Sequence, residues 1–291
     1  MPESVDELLT LLDLEEIEVG LFRARQPRTS LQRVFGGQVL AQALTAASRT
    51  VPPERSVHSL HGYFLVAGRT DQPIVYDVEP VRDGGSFSSR RVVARQDGQV
   101  MFYLSASFHV HEEGYEHADP EPDAPAPEDS PPLTDVLAGL TGRSAAGWAH
   151  EWGAIDVRYV GDSRPGGAIE DPDHPARARA WVRVAGELPD NPVLHQAALA
   201  YTSDLTLIGV SVVPHGVVVG YTVQAASLDH AMWFHRPFRA DRWLLYDQVS
   251  PSASGALGLS TGRLFQDGRL VATVAQEGLI RPLRDRKPQT S

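Results

Sequence analysis

Apolar positions at residues 5–14 recur at helical spacing and predict a short amphipathic helix, and residues 17–22 alternate as a strand would. Phe35-Gly-Gly-Gln-Val-Leu-Ala-Gln-Ala-Leu-Thr-Ala-Ala-Ser48 is small or apolar on nearly every face. That predicts a buried helix, opened by Gly36-Gly37 and ended before Pro52-Pro53. Four β-type runs follow at 59–66, 74–81, 87–96 and 99–108. Gly68, Asp83-Gly84-Gly85 and Asp97-Gly98 punctuate them, the last a tight hairpin signal.

The pattern then stops. Residues 112–132 are acidic and dense in proline, which excludes a regular helix or an interior strand and predicts an extended linker. Beyond it the order resumes. Strands are expected at 154–160 and 178–184, and Asp190-Asn191-Pro192 starts a helix that should run from about 193 past 205. Further strands are expected at 217–224, 228–234, 243–249, 257–265 and 270–276, with a second hairpin turn at Gln266-Asp267-Gly268.

The two halves superpose in sequence. Ser59-Leu60 matches Ser227-Leu228 at an offset of 168, and Gln96-Asp97-Gly98 matches Gln266-Asp267-Gly268 at 170. The expected architecture is α+β: residues 1–112 as one unit of a long helix against an antiparallel sheet, 113–146 as linker, and 147–291 as a second such unit.

The copies differ in polarity. If the second helix continues, 100° per residue puts Asp204 above Ala197, on the small apolar side that should face the sheet. A carboxylate there is costly unless paired. Either Ser203-Asp204 caps a second short helix, or Asp204 is a buried catalytic carboxylate. The first helix has no acid between Gln32 and Thr50. Gln276 shares a strand face with Leu270, Ala272 and Val274, where the first copy has Ala106. Ser227 is matched by Ser59. An acid, a hydroxyl and an amide can hold one water and remove its proton, so chemistry is expected in the second copy, within the stretch from His195 to Glu277.

Other signals carry less. His230 and His235 fall on opposite faces of one strand, so joint metal ligation is not expected. Arg236, Arg239 and Arg242 fit loop solvation or an anionic ligand. Gly258-Leu-Ser-Thr-Gly262 has the spacing of a nucleophile elbow but lies within a β hairpin, and no helix follows Asp83-Gly84-Gly85.

Composition narrows the class. At 291 residues, 42% hydrophobic and 22% charged, the chain is an ordinary globular one. A net charge of −11 argues against nucleic acid as a partner, and the absence of Cys excludes disulfides, thiolate zinc sites and a Cys nucleophile. The only Lys is Lys287. The start reads as neither secretory signal nor transit peptide, no apolar run reaches a membrane span, and 288–291 is no peroxisomal address, so a cytoplasmic protein is expected.

On these residues the chain resembles the acyl-CoA thioesterase II family. The resemblance spans most of the chain outside the linker. It is carried by Phe35-Gly-Gly-Gln-Val-Leu-Ala-Gln-Ala-Leu, His58-Ser-Leu-His-Gly-Tyr-Phe, His195-Gln, Tyr201-Thr-Ser-Asp204, Ser227-Leu-Asp-His-Ala-Met-Trp-Phe-His-Arg-Pro-Phe238, Leu244-Leu-Tyr and Gln276-Glu-Gly. It implies a double hotdog fold, hydrolysis of acyl-CoA to free fatty acid and CoA, and a catalytic set falling on Asp204, Ser227 and Gln276. Well-known members have Thr where this chain has Ser227, which frees its rotamer. The resemblance further implies no metal or redox cofactor, an apolar tunnel between helix and sheet for the acyl chain, a backbone N–H near Gly36-Gly37 on the thioester carbonyl, and a homo-oligomer. Two rivals remain at this point: a hotdog enoyl-CoA hydratase, for which Asp190-Asn-Pro-Val-Leu-His195 has the right Asp-to-His separation, and a non-catalytic acyl-CoA binder.

Overall fold

The computed structural model describes residues 1–283 apart from 143, 145 and 172; Lys287 and the stretch 288–291, read above as no peroxisomal address, lie outside the described residues. Helix α1 (Val5–Leu12) is capped by Ser4 and buries Leu8, Leu11 and Leu12. The expected strand at 17–22 is instead a hairpin, β1 (Glu15–Glu18) and β2 (Leu21–Ala24), because Gly20 adopts φ +77° and turns the chain. Helix α2 (Gly36–Ser48) is buried almost all round, as its composition dictates. Its polar Gln42 is satisfied inside, donating to the Leu11 carbonyl and accepting from the Tyr76 hydroxyl.

Strands β3 (Arg55–Phe64), β4 (Ile74–Asp83), β5 (Phe87–Gln96) and β6 (Gln99–Val110) complete the first half. After the irregular stretch the chain forms α3 (Leu133–Thr141) and α4 (Ala146–Glu151), so the region expected to be linker ends in helix once the prolines stop. The second half contains β7 (Ile155–Asp162), β8 (Arg177–Val184), α5 (Pro192–Ser203), β9 (Val223–Ser227), β10 (Asp229–Phe234), β11 (Leu244–Ser254), β12 (Leu257–Gln266) and β13 (Arg269–Pro282). Asp97-Gly98 and Asp267-Gly268 both take positive φ, as two-residue hairpin turns require.

Two expectations change here. Helix α5 stops at Ser203 rather than running past 205, and a separate 3-10 helix, Leu207–His215, follows. The expected strand at 217–224 is mostly irregular: Val219 makes an isolated bridge, 220–222 are turn, and the strand proper begins at Val223. The apolar segment Pro192–His215 is long enough to cross a membrane by composition, yet it is mostly buried inside the protein.

All strands join one antiparallel sheet in the order β1-β2-β4-β5-β6-β3-β10-β13-β12-β11-β8-β7, with β9 beside β13. The order is palindromic. The halves meet at β3 against β10, where Leu60 faces Met232 and Gly62 faces His230. Helices α2 and α5 pack against each other between the two halves of the sheet. The register also corrects the sequence alignment: Val57 pairs with Phe108 and Ser227 with Gly278, a uniform offset of 170. The counterpart of Ser227 is therefore Val57, and Ser59 corresponds to Asp229; the register break that follows Val57 recurs after Ser227, so both halves keep the same count.

The acidic linker runs across the outer face of the second half. Arg263 donates to Asp119, the Gly268 N–H to Glu121, Arg179 to the Asp123 carbonyl, and the Trp181 indole to the Pro125 carbonyl. On the outer face of the first half Tyr63 and Tyr103 are exposed and stacked, their rings 5.5 Å apart. At the N-terminus the buried Glu151 carboxylate receives the Met1 ammonium at 3.0 Å, the Thr29 hydroxyl, and both the N–H and hydroxyl of Ser30.

Candidate active site

The end of α5 sets the site. Asp204 is its C-cap residue, at φ −84° and ψ −7°, and its side chain turns inward under the sheet. It caps no second helix, since the N-cap of Leu207–His215 is Thr206. Gln276 donates to Oδ1 of Asp204 in a very short hydrogen bond, and the Ser227 hydroxyl donates to the same oxygen at 3.1 Å. Gln276 also donates to Ser227 Oγ at 2.9 Å. The acid, hydroxyl and amide singled out in the sequence therefore form one closed triangle. In the first half the matching sheet positions are Val57 and Ala106, both buried, and the residue capping the end of α2 is Arg49.

The third hydrogen bond to Asp204 comes from the other half. The Gly37 N–H, in the first turn of α2, also reaches the carboxylate. A helix start is a ready donor to an anion, and the absence of side chains at Gly36 and Gly37 lets α5 approach. A β-carbon on Gly37 would lie within van der Waals overlap of the Tyr201 carbonyl.

Burial raises the Asp204 carboxyl to about 6, against the opposing pull of Gln276, Ser227 and the Gly37 N–H. An acid that titrates there, in a cavity, suits proton abstraction near neutrality. Asp204 and Ser227 line a cavity of about 420 Å³ together with Gly36, Phe64, Ile208 and Leu228. Ile208 and Val219 are shared with an adjoining apolar cavity of about 180 Å³, walled by Leu137, Leu140, Trp148 and Val212. The apolar space lies between the 3-10 helix, α3 and β8 rather than along α5. A larger cavity, about 730 Å³, occupies the pseudo-symmetric place beside His58, His195 and Phe234. It contains neither Asp204 nor Ser227 nor Gln276, so size does not mark the chemistry.

His230 was assigned no chemistry in the sequence, yet it lies against the site. Its Nε2 is 2.9 Å from Ser203 Oγ, and its Nδ1 is 3.7 Å from Asp204 Oδ1. Strand parity held the signal, since His230 shares the inward face with Met232 and Phe234. His235 turns outward to Thr273, which confirms that the two imidazoles do not converge. Arg236 and Arg239 bond to the Leu270 carbonyl and to Asp241, and neither they nor Arg242 line the Asp204 cavity. The hydratase pattern does not assemble: Asp190 is exposed and pairs with Arg239, Asn191 caps α5, and the buried His195 accepts the Ala240 N–H through Nδ1.

Residues 25–109 match the family described as acyl-CoA thioesterase N-terminal domain, and residues 172–279 match the family described as acyl-CoA thioesterase. The chain is 36% identical to acyl-CoA thioesterase 2 of Haemophilus influenzae over 97% of its length and 99% of that protein's. The crystal structure of acyl-CoA thioesterase II TesB2 from Mycobacterium marinum superposes with a TM-score of 0.81 at 44% identity, covering 97% of this chain and all of that one. A hot dog fold protein from Alicyclobacillus acidocaldarius superposes at 0.73 with 22% identity, covering 96% of this chain and 99% of that one, a likeness of fold.

Proposed function

The chain belongs to the acyl-CoA thioesterase family, has its double hotdog fold and hydrolyses acyl-CoA thioesters; on that premise we propose that Asp204, Ser227 and Gln276 carry the reaction. The observation that supports this assignment is the closed triangle of hydrogen bonds around Asp204 Oδ1. A water replaces part of that triangle when substrate is bound. Asp204 takes one of its protons as its oxygen attacks the thioester carbon, while Ser227 and Gln276 orient it. The tetrahedral intermediate collapses with loss of the C–S bond, and the proton on Asp204 passes to the departing sulfur. The products are a free fatty acid and CoA thiol.

The carbonyl oxygen of the substrate accepts from the Gly36 N–H, which starts α2 and has no carbonyl within the helix to reach. The Gly37 N–H is already engaged by Asp204. The acyl chain runs past Ile208 and Val219 into the apolar cavity beneath α3. We read the halves as units 1–112 and 147–291 joined by 113–146, and the protein as a cytoplasmic homo-oligomer that needs no cofactor. Among the described residues no group of three or more His, Asp or Glu is arranged to hold a metal.

The test is free-thiol release from a series of acyl-CoAs by wild type and Asp204→Asn. Wild-type release that drops by roughly 10²–10⁴-fold in the variant supports the assignment. An Asp204→Asn protein that keeps wild-type turnover would sink it.

A further inference from the structure

Helix α5 ends in a way that fixes which nitrogen of His230 carries its proton. The Asp204 N–H turns to the Thr202 carbonyl, so the Ala200 carbonyl in the last turn lacks its helical partner. The Ser203 hydroxyl supplies the missing donor, reaching Ala200 O at 2.9 Å. Its single proton is thereby used. With that proton on the Ala200 carbonyl, Nε2–H is the donor in the 2.9 Å contact between His230 and Ser203 Oγ. A neutral imidazole protonated on Nε2 has a bare Nδ1.

That Nδ1 is fully buried, has no hydrogen-bond partner, and stands 3.7 Å from Asp204 Oδ1. Facing an ionised carboxylate it is idle, since both are acceptors. Facing a protonated carboxyl it is a ready acceptor, after a contraction of roughly 1 Å. We propose that His230 Nδ1 accepts a hydrogen bond from Asp204 once Asp204 has taken the proton of the attacking water. The inference rests on Asp204 being the base.

A bond made only after proton transfer stabilises the transition state more than the ground state, and so acts on kcat rather than KM. Burial lowers the imidazole to about 3, which keeps it neutral and able to accept throughout the working range. Among the described residues the other titratable side chain against Asp204 is Tyr246 on β11, whose hydroxyl donates to the Ser203 carbonyl and whose buried ring is held un-ionised. Tyr201 on α5 packs its buried ring against Phe35 and Trp152, and its hydroxyl is held un-ionised by burial. From α2, β9 and β13 come Gly36, Gly37, Ser227 and Gln276, none titratable. His230 is thus a positioning residue that acts through Asp204. The first half has the buried Leu60 at the matching register.

Two substitutions separate this role from a structural one. In His230→Asn the amide oxygen falls near Nδ1 and keeps an acceptor toward Asp204 while losing the bond to Ser203. In His230→Gln the amide nitrogen falls near Nε2 and keeps the donor to Ser203 while losing the acceptor. The full-length variants are assayed for thiol release across pH. His230→Asn is expected to keep kcat within about threefold. His230→Gln is expected to lose kcat by tenfold or more at unchanged KM, with the acid limb of its profile moved to lower pH. Should His230→Gln fail to fold, His230→Leu, the residue of the first half, serves in its place with the same expectation. A His230→Gln enzyme with wild-type kcat and profile, or a His230→Asn enzyme equally impaired, overturns the proposal. A wild type that releases no thiol would instead overturn the hydrolase reading beneath it.

Discussion

A β-carbon on Gly36 would stand 2.6 Å from Oδ2 of Asp204. The first half's helix and the second half's carboxylate therefore meet at a contact that only glycine permits. Gly36→Ala has to displace the carboxylate, and a shift approaching 1 Å at a reacting group costs about 10²-fold in rate. The expected result is a fold that circular dichroism cannot distinguish from wild type with kcat reduced by about that factor. Wild-type kcat in Gly36→Ala would show that Asp204 has room to spare.

The raised Asp204 carboxyl has a cost to stability whose sign can be stated. The folded protein binds this proton more tightly than the unfolded chain, whose carboxyl titrates near 3.8. Stability therefore falls as pH rises from about 4 to about 6, and the full penalty persists above that. Removing the charge relieves it. Asp204→Asn is expected to be more stable than wild type by about 1–3 kcal/mol at pH 7.5, with the difference gone near pH 4. Urea denaturation at the two pH values checks this.

The same carboxyl sets the acid limb of catalysis. Asp204 must be ionised to accept a proton, so kcat/KM should halve near pH 6 and fall about tenfold per unit below it. His230 contributes no second break in that range because it stays neutral down to about 3. A limb centred near pH 4 would mean that burial does not act on Asp204 as the cavity implies.

Glu151 is a stability site remote from the chemistry. Burial opposes its ionisation, but the hydroxyls of Ser30 and Thr29, the Ser30 N–H and the Met1 ammonium outweigh that and bring it down to about 2. A depressed carboxyl contributes fully above its ordinary value of 4.5, and the contribution is lost as pH falls toward 2. Glu151→Gln should cost about 2 kcal/mol at pH 7, less as the pH approaches 2, and leave kcat near wild type. Denaturant midpoints measured at pH 7 and pH 3 decide it.

Much of this architecture was legible before the structure. Asp97-Gly98 and Asp267-Gly268 mark their hairpins because few residue pairs tolerate two positive φ values in succession. Helix α2 declared itself by being apolar on all sides. The end of α5 did not, because Tyr201-Thr-Ser-Asp-Leu-Thr-Leu-Ile208 offers no glycine or proline to stop a helix. The match of Ser59 to Ser227 rests on a two-residue Ser-Leu repeat, too short to tell an offset of 168 from the 170 that strand pairing gives. The convergence of Asp204 with Gly37 was hidden for a different reason: it depends on two helices from different halves lying side by side, and no spacing along one chain encodes that.

The linker has a consequence for assembly. Contact between two sheets needs a bare surface on each partner. Here Asp119, Glu121, Asp123 and Pro125 already occupy the outer surface of one half, while Tyr63 and Tyr103 leave the other open. A molecule with one sticky side and one already taped over can pair once. Association of copies through the sheets is therefore expected to use the first half, whose outer surface the linker leaves uncovered.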